Sequence, residues 1–238
     1  MPTEDVENAA HVENAAHVEH VEHVKNTAHA EFSVLLGADF AGKSSVMAEL
    51  AETVPTWRLL STDGEFTETA FPLVAQLRRN VVSDVLPGLG TTYSADFLAA
   101  LLQTAVVHLR DRVQASEPGA PIVVDSYYYK ILAKCRLAGV EENPMFTWWR
   151  SFPRPRRIVY LDVTHETAWR RSGQGTRLNR LEHSGDLPHE HAFESYQRDL
   201  RKVMLEETRD VPMTVIEECG DVARTAAAVR EALADDFH

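Results

Sequence analysis

Eight consecutive residues, 37–44, match the pattern GxxxxGK[ST] at every fixed position. An apolar run precedes them and an amphipathic stretch follows, which is the strand–loop–helix order typical of phosphate-binding loops. Glycine allows the backbone to turn tightly, so that its N–H groups point inward at an anion. The start of the following helix adds its dipole to the same site. The spacing therefore predicts that this loop binds the phosphates of a nucleoside triphosphate.

Two side chains of this loop have predicted roles of their own. Lys43 can reach the β- and γ-phosphates, so we predict that it is catalytic, and the hydroxyl of Ser44 is a predicted ligand of Mg²⁺. The predicted nucleotide-binding residues are Gly37, Ala38, Asp39, Phe40, Ala41, Gly42, Lys43, Ser44 and Ser45. The loop thus predicts a nucleoside triphosphate and Mg²⁺ as cofactors.

A second metal ligand is predicted at the end of another buried strand. Residues 121–125 read Pro-Ile-Val-Val-Asp, and the β-branched run indicates a buried strand that ends at Asp125. In a doubly wound sheet this end lies at the same edge as the phosphate-binding loop. We therefore predict that Asp125 holds Mg²⁺ beside Ser44. A helix N-cap is the alternative role, and the two roles are compatible.

The elements that position these residues follow from an alternation of short β-branched runs with longer amphipathic segments. Predicted strands span 32–36, 57–61, 122–124, 158–163 and 213–217. Predicted helices span 43–52, 68–85, 94–114, 127–137, 166–171, 189–207 and 221–234. This order predicts an α/β fold with a five-stranded parallel sheet and helices on both faces.

The first 31 residues differ in composition from the rest of the chain. Val-Glu-Asn-Ala-Ala-His occurs at 6–11 and again at 12–17, and Val-Glu-His follows twice. Valines six residues apart draw no stripe on a helix, so no face can be buried. We interpret residues 1–31 as an acidic, mobile tail and residues 32–238 as one domain. Opportunistic metal chelation by the five histidines of the tail is the alternative.

The overall composition argues against several classes of protein. The 238 residues carry 24 basic and 36 acidic side chains, and a net charge of −12 disfavours a general nucleic-acid binder. No apolar run reaches the roughly 18 residues of a transmembrane helix, and the acidic N-terminus disfavours export. Two cysteines fit a reducing cytoplasm. We expect a cytoplasmic protein whose partner is a small molecule, not a membrane.

From Phe32 onward, several motifs in order resemble the thymidylate kinase group of P-loop kinases. Asp125-Ser126-Tyr127 is similar to the family's Asp-Arg-Tyr, and Tyr160-Leu-Asp-Val163 is similar to its next strand. The segment 193–198 resembles the helix that follows the family's lid. The resemblance implies a P-loop NTPase fold with a mobile lid and a homodimer. It also implies transfer of the γ-phosphoryl group of ATP to a nucleotide or nucleoside.

A polar stretch, residues 172–188, corresponds to the lid in this resemblance, and we call it the lid segment. Four arginines lie in or just before it: Arg170, Arg171, Arg177 and Arg180. Arginines brought in by closure would stabilise the charge of the transferring phosphoryl group. Closure itself would exclude water. We predict that Arg177 and Arg180 are catalytic because they lie inside the flexible part. The alternative is a solvated loop paired with Glu182 and Asp186.

The acceptor side departs from the family, because two expected arginines are missing. The second strand leads into Ser61-Thr-Asp-Gly-Glu65, and Ser126 replaces the arginine of Asp-Arg-Tyr. Asp63 lies twenty residues after Lys43, where a carboxylate could act as general base toward a hydroxyl acceptor. The alternative for Asp63-Gly64 is a turn.

The identity of the acceptor therefore stays open at the sequence level. A nucleotide or nucleoside is the leading class, and a hydroxylated metabolite such as an antibiotic or its precursor is the alternative. The third hypothesis is a regulatory protein that binds a nucleotide but does not turn over a substrate. The predicted acceptor pocket comprises Glu65, Phe66, Tyr127, Tyr128 and Trp148. Aromatic rings can stack on a base or a sugar, although a place in the core is the alternative for each ring.

The role of Asp63 is testable by one substitution. Asp63→Asn should slow phosphoryl transfer by roughly 10²-fold or more if the carboxylate acts as general base. Steady-state ADP release with the best acceptor measures this effect. A wild-type rate would identify Asp63 as a turn residue.

Overall fold

The residues that the structure describes form five parallel strands in a single sheet. The computed structural model describes residues 31–62, 71–117, 119, 121–185 and 187–234. The strands are β1 (Phe32–Gly37), β2 (Arg58–Leu60), β3 (Ile122–Asp125), β4 (Arg157–Asp162) and β5 (Met213–Glu217). Their spatial order is β2-β3-β1-β4-β5. This sheet confirms the predicted α/β fold.

Eight α-helices within the described ranges flank the sheet. They are α1 (Lys43–Thr53), α2 (Pro72–Asn80), α3 (Ala95–Gln114), α4 (Tyr129–Leu137), α5 (Pro144–Arg150), α6 (His165–Arg171), α7 (Glu190–Thr208) and α8 (Val222–Ala234). Among them, no helix is both long enough and apolar enough to cross a bilayer.

Successive strand residues face opposite sides of the sheet and so build two separate cores. Val34 and Leu36 of β1 belong to a core that includes residues of α3, α4, α5 and α7. Leu35, between them, belongs to a second core with Met47 of α1 and Val229 of α8. Both faces of the sheet are therefore covered, which explains why the strands read as continuous apolar runs.

The strand order brings the predicted site residues to one edge. β1 lies between β3 and β4, and Leu35 of β1 is paired in register with Asp125 of β3. The chain leaves β1 toward α1 and leaves β3 toward α4 at the carboxyl end of the sheet. The strand order reverses at β1, because the chain builds the sheet outward from β1 on both sides. Open α/β sheets bind ligands at the carboxyl end of the strands at such a point.

Two segments differ from the sequence-based expectation. The helix predicted at 68–85 is α2 followed by a π-helical turn at Val81–Val85 and a 3₁₀ turn at Leu86–Gly88, where Pro87 removes a backbone donor. Residues 63–70 lie outside the described ranges. Helix α5, of seven residues, was not predicted. Its first residue is Pro144, and the Asn143 side chain caps it by accepting from the Met145 N–H.

The role of the second core is testable through Leu35, whose side chain is 0% exposed. Leu35→Ala should lower the free energy of unfolding by about 2–5 kcal/mol, because it removes buried methyl groups and leaves a cavity. The matched control is Val215→Ala on β5, where the side chain is 50% exposed. The control should change stability by about 0.5 kcal/mol or less. Denaturant unfolding curves measure both, and equal effects would contradict the two-core packing.

Candidate functional site

A cavity of about 690 Å³ opens at the carboxyl edge of the sheet. The loop between β1 and α1, the end of β3 and the turn between β5 and α8 form one side of it. Residues of α2, α3, α4 and the lid segment also line it, as do residues at the end of β4, in the turns after α2 and at the end of α6. Most of the elements that end at this edge of the sheet therefore contribute residues to the cavity wall.

The loop at 37–44 has the tight geometry that its glycines predict. A Cβ at Gly37 would lie 2.9 Å from the carbonyl oxygen of Leu161, so only glycine fits there. Gly42 has φ of 93°, a left-handed conformation that glycine adopts without strain, and α1 begins at the next residue. Among the described residues, no side chain caps α1 at its N-terminus. The first N–H groups of α1 therefore keep their capacity to bind an anion.

Lys43 lies over its own loop. Its Nζ donates to the carbonyl oxygens of Gly37, at 3.3 Å, and of Ala38, at 3.4 Å. The side chain lines the cavity and is almost fully buried. An ammonium group held in this place is suited to bind phosphate oxygens that enter the loop.

Asp125 and Ser44 both line the cavity and fit the requirements of Mg²⁺. Asp125 accepts hydrogen bonds from the hydroxyls of Ser126, at 2.8 Å, and Ser61, at 3.1 Å. No cluster of three or more His, Cys, Asp or Glu side chains suited to a metal exists in the described part of the chain. One carboxylate and one hydroxyl are nevertheless sufficient, because Mg²⁺ keeps several waters and takes its other ligands from phosphates.

A buried carboxylate at the centre of the phosphate-binding loop organises its surroundings. Asp39 Oδ1 lies 2.8 Å from the Nζ of Lys130 and 2.9 Å from the Nζ of Lys134, both on α4. Gln197 of α7 accepts from the Asp39 N–H at 2.9 Å and donates to Asp39 Oδ2 at 3.2 Å. The same amide donates to the carbonyl oxygen of Glu182 in the lid segment.

Burial and charge act in opposite directions on this cluster. Burial by itself raises the pKa of the Asp39 carboxyl, but Lys130 and Lys134 hold that pKa well below its usual range. Burial lowers the pKa of the Lys130 ammonium to about 8, against the opposing attraction of Asp39. Asp39 therefore stays ionised, and the Lys130 ammonium gives up its proton more readily than an exposed lysine does.

Two arginines connect the lid side of the cavity to the phosphate-binding loop. Arg171, at the end of α6, donates to the carbonyl oxygens of Phe40 and Ala41 and forms an ion pair with Glu218. The guanidinium of Arg177 lies 5.6 Å from the centroid of the Phe40 ring, a cation–π contact. Both side chains line the cavity.

The structure places Arg180 outside the cavity lining. Arg180 donates to the carbonyl oxygen of Gly185 within the lid segment and does not line the cavity in the described conformation, so its catalytic role stays a prediction. Asp63, Glu65 and Phe66 lie outside the described residues, and their predicted roles stay predictions as well.

The predicted aromatic pocket needs correction. Tyr127 lines the cavity, but it is 0% exposed and packs edge-on against Phe32 at 5.2 Å. Tyr128 is buried against Tyr129 and does not line the cavity. Trp148 is 41% exposed and packs against Phe152, outside the cavity. Tyr127 therefore lies at the cavity wall with its ring packed in the core, whereas Tyr128 and Trp148 lie away from the cavity.

Sequence reasoning missed the residues that surround Asp39. Lys130 and Lys134 are four residues apart, a spacing that puts both on one face of a helix and could have been noticed. Gln197 is 158 residues from Asp39, and no local pattern connects them. Arg171 was grouped with the lid arginines, but its contact with the loop could not be read from spacing.

Solved structures of a thymidylate kinase and a deoxyadenosine kinase resemble this fold. Thymidylate kinase from Candida albicans matches with a TM-score of 0.60 at 16% sequence identity, covering 87% of this chain and 92% of that chain. This chain has the thymidylate-kinase-like fold. The same fold also matches deoxyadenosine kinase from M. mycoides with bound dATP, with a TM-score of 0.56 at 14% identity, covering 86% and 99% of the two chains.

A second structure of the M. mycoides enzyme, with the products dCMP and dCDP, gives a TM-score of 0.55 at 13% identity and covers 86% of this chain and 98% of that chain. No protein-family model matches the sequence, and no curated protein matches it. The thymidylate-kinase-like fold is thus recognised from tertiary structure at identities that say nothing of the acceptor.

The charge on Lys130 is testable through the pH dependence of stability. The pKa of this group in the fold, about 8, is below its unfolded value, so the unfolded chain binds the extra proton between these two values. Burial of the Lys130 ammonium therefore lowers the free energy of unfolding below pH 8. The free energy of unfolding recovers as the pH rises toward 10. Relative to Lys130→Met, the wild type should gain up to ~1.4 kcal/mol per pH unit in this window.

Denaturant unfolding from pH 7 to 10 measures the difference. Lys202→Met on α7 is the matched control, because Lys202 is exposed to solvent. The free energy of unfolding of this control should depend on pH in the same way as that of the wild type. A parallel course for Lys130→Met as well would mean that Lys130 keeps an ordinary titration in the fold.

Proposed function

We propose that this protein is an ATP- and Mg²⁺-dependent small-molecule kinase. The observation that carries the proposal is the meeting of Lys43, Ser44 and Asp125 in one cavity at the carboxyl edge of the sheet. Two separate stretches of sequence supply these residues, and parallel pairing of β1 with β3 brings them together. The fold shared with thymidylate and deoxyadenosine kinases supports the same reaction class.

The residues divide the work of phosphoryl transfer. The N–H groups of the loop and Lys43 bind and orient the β- and γ-phosphates. Arg171 and Arg177 face the same cavity and stabilise negative charge that spreads over the equatorial oxygens of the transferring group. Mg²⁺, held by Ser44 and Asp125, supplies charge neutralisation on the phosphate oxygens when it is bound. The lid segment, fastened to the loop through Gln197 and Arg177, excludes water from the donor.

Nucleotides and nucleosides are the first candidate acceptors, because proteins with a similar fold act in nucleotide metabolism. The similar solved proteins are a thymidylate kinase and a deoxyadenosine kinase. Position 126 carries serine, whose hydroxyl donates to Asp125 and supplies no positive charge. Lys130, one helical turn later, lines the cavity and is the described cation nearest in sequence to the missing arginine. Lys130 would then bind the anionic end of such an acceptor.

A hydroxyl-directed phosphotransferase is the second candidate. The serine at position 126 favours it, because a neutral hydroxyl acceptor needs no arginine there. Lys130 is already paired with Asp39 at 2.8 Å, so part of its charge is compensated before any acceptor binds. Retention of Lys43 and Asp125 argues against a regulatory protein that has lost turnover.

Three further features belong to the same proposal. We take residues 32–238 as the kinase domain and residues 1–31 as an appended tail. A cytoplasmic location suits an enzyme that uses ATP. A homodimer is the assembly suggested by the resemblance to thymidylate kinases.

Lys43→Ala tests the proposed donor site. It should reduce phosphoryl transfer by at least about 10²-fold, because the ammonium group that binds the transferring phosphoryl group is removed. ADP release is measured with ATP and Mg²⁺ against nucleosides, nucleoside monophosphates and hydroxylated metabolites. Lys202→Ala, an exposed lysine on α7, should retain the wild-type rate. Undiminished turnover in Lys43→Ala would refute the donor-site assignment.

A further inference from the structure

The cavity at the carboxyl edge of the sheet has two halves of different chemistry. Lys43, Asp125 and Arg171 line the half beside the phosphate-binding loop. The other half lies between α2 and α3, and we call it the aliphatic lobe. Its lining includes Val74, Leu77, Val81, Leu101, Leu102 and Ala105. Aliphatic side chains therefore predominate among the described lining residues of α2 and α3, where Arg78 and Thr104 are the polar members.

A small hydrophobic cluster lies beside the aliphatic lobe. Leu181, from the lid segment, lines the cavity and is buried against Val81 and Leu98. Val81 belongs to the π-helical turn after α2, and Leu98 belongs to α3. This cluster brings the lid segment together with residues from both walls of the lobe.

Polar groups beside the lobe are mostly engaged within the protein. The Thr104 hydroxyl donates to the carbonyl oxygen of Leu101 at 2.7 Å. The Asn179 side chain accepts from the Leu181 N–H at 2.9 Å. Arg78 lies at the exposed rim of the lobe. The described walls thus offer few partners for hydrogen-bonding atoms inside the lobe.

These walls suit a nucleobase poorly. A buried base presents several donors and acceptors on its edges, and each one left unpaired weakens binding by roughly tenfold or more. Bases also stack on open aromatic faces. Phe40 and Tyr127 are the aromatic residues in the described lining, and Phe40 is occupied by Arg177 and Phe193. Tyr127 is closed in by Phe32 and Tyr128.

We infer that the acceptor is an alcohol with an aliphatic body, which fills the lobe while its hydroxyl faces Asp125 and Lys43. This inference rests on the proposed kinase function and names its acceptor class. Ile131 and Lys130 are adjacent on α4 and both line the cavity, so the apolar and charged halves meet there. A hydroxyl at this junction lies at the polar end of an otherwise apolar site.

The reaction balances without a further reactant. The hydroxyl oxygen forms a bond to the γ-phosphorus of ATP, and the bond from that phosphorus to the β,γ-bridging oxygen breaks. The hydroxyl proton is released by way of the transferred phosphoryl group to water, so no further reactant is consumed. The products are ADP and an alkyl phosphate monoester.

Binding of a homologous series tests the acceptor class. Dissociation constants of 1-butanol, 1-hexanol and 1-octanol are measured by calorimetry on the full chain with Mg²⁺ and a non-hydrolysable ATP analogue. Each added methylene should tighten binding about fourfold, which corresponds to ~0.8 kcal/mol per buried methylene. Parallel assays with ATP should show ADP release and an alkyl phosphate product, with thymidine and thymidine monophosphate turned over more slowly.

Variants of α3 and α2 locate the binding in the lobe. Ala105→Phe fills the lobe and should weaken 1-octanol binding at least tenfold, while Ala100→Phe, at an exposed position of the same helix, should leave it unchanged. Leu77→Asn should weaken binding of the longer alcohols most, with exposed Leu73→Asn as its control. The second pair keeps the test valid if Ala105→Phe fails to fold.

The outcomes separate this inference from the kinase function. Equal affinities along the series, or turnover of thymidine or thymidine monophosphate while the alcohols stay inert, would overturn the aliphatic acceptor and leave the kinase intact. Insensitivity of alcohol binding to both lobe variants would overturn it too. Failure of the kinase proposal has a different signature, because the ATP analogue would then not bind even with Mg²⁺ present.

Discussion

The buried carboxylate of Asp39 joins the phosphate-binding loop to two helices and to the lid segment. A carboxylate taken out of water destabilises the fold unless charges and hydrogen bonds compensate it. Two ammonium groups of α4 and the amide of Gln197 supply this compensation, and Gln197 also reaches the carbonyl of Glu182. The contacts of Asp39 with Lys130, Lys134 and Gln197 therefore fix the phosphate-binding loop relative to α4, α7 and residue 182.

This constraint gives the site its electrostatic character. The chain is acidic overall, with a net charge of −12, yet Lys43, Lys130 and Arg171 line the cavity together with carboxylates such as Asp125. Local arrangement, and not total charge, decides what such a cleft attracts. The aliphatic lobe adds the complementary half, so one cavity offers a charged place for the donor and an apolar place for the body of an acceptor.

The strands were predictable to within about one or two residues of their ends, because buried parallel strands are short β-branched runs between polar turns. Met213–Glu217 was predicted with its observed bounds. The region after β2 was less predictable: α2 gives way to two irregular turns around Pro87, and periodicity cannot distinguish these from a continued helix. Trp148 shows the same difficulty in the site, since an aromatic residue near an active edge packs on either side of its helix.

By itself the sequence determined the phosphate-binding loop, because its function depends on glycines, a lysine and a serine at fixed local spacing. It also determined that Asp125 ends a buried strand. Only the tertiary structure decided which side chains surround that loop. Asp39 meets Lys130 and Gln197 because β1, α4 and α7 converge at one edge of the sheet, although 158 residues separate Asp39 from Gln197. Contacts of this kind arise from the packing of distant elements, and local spacing carries no record of them.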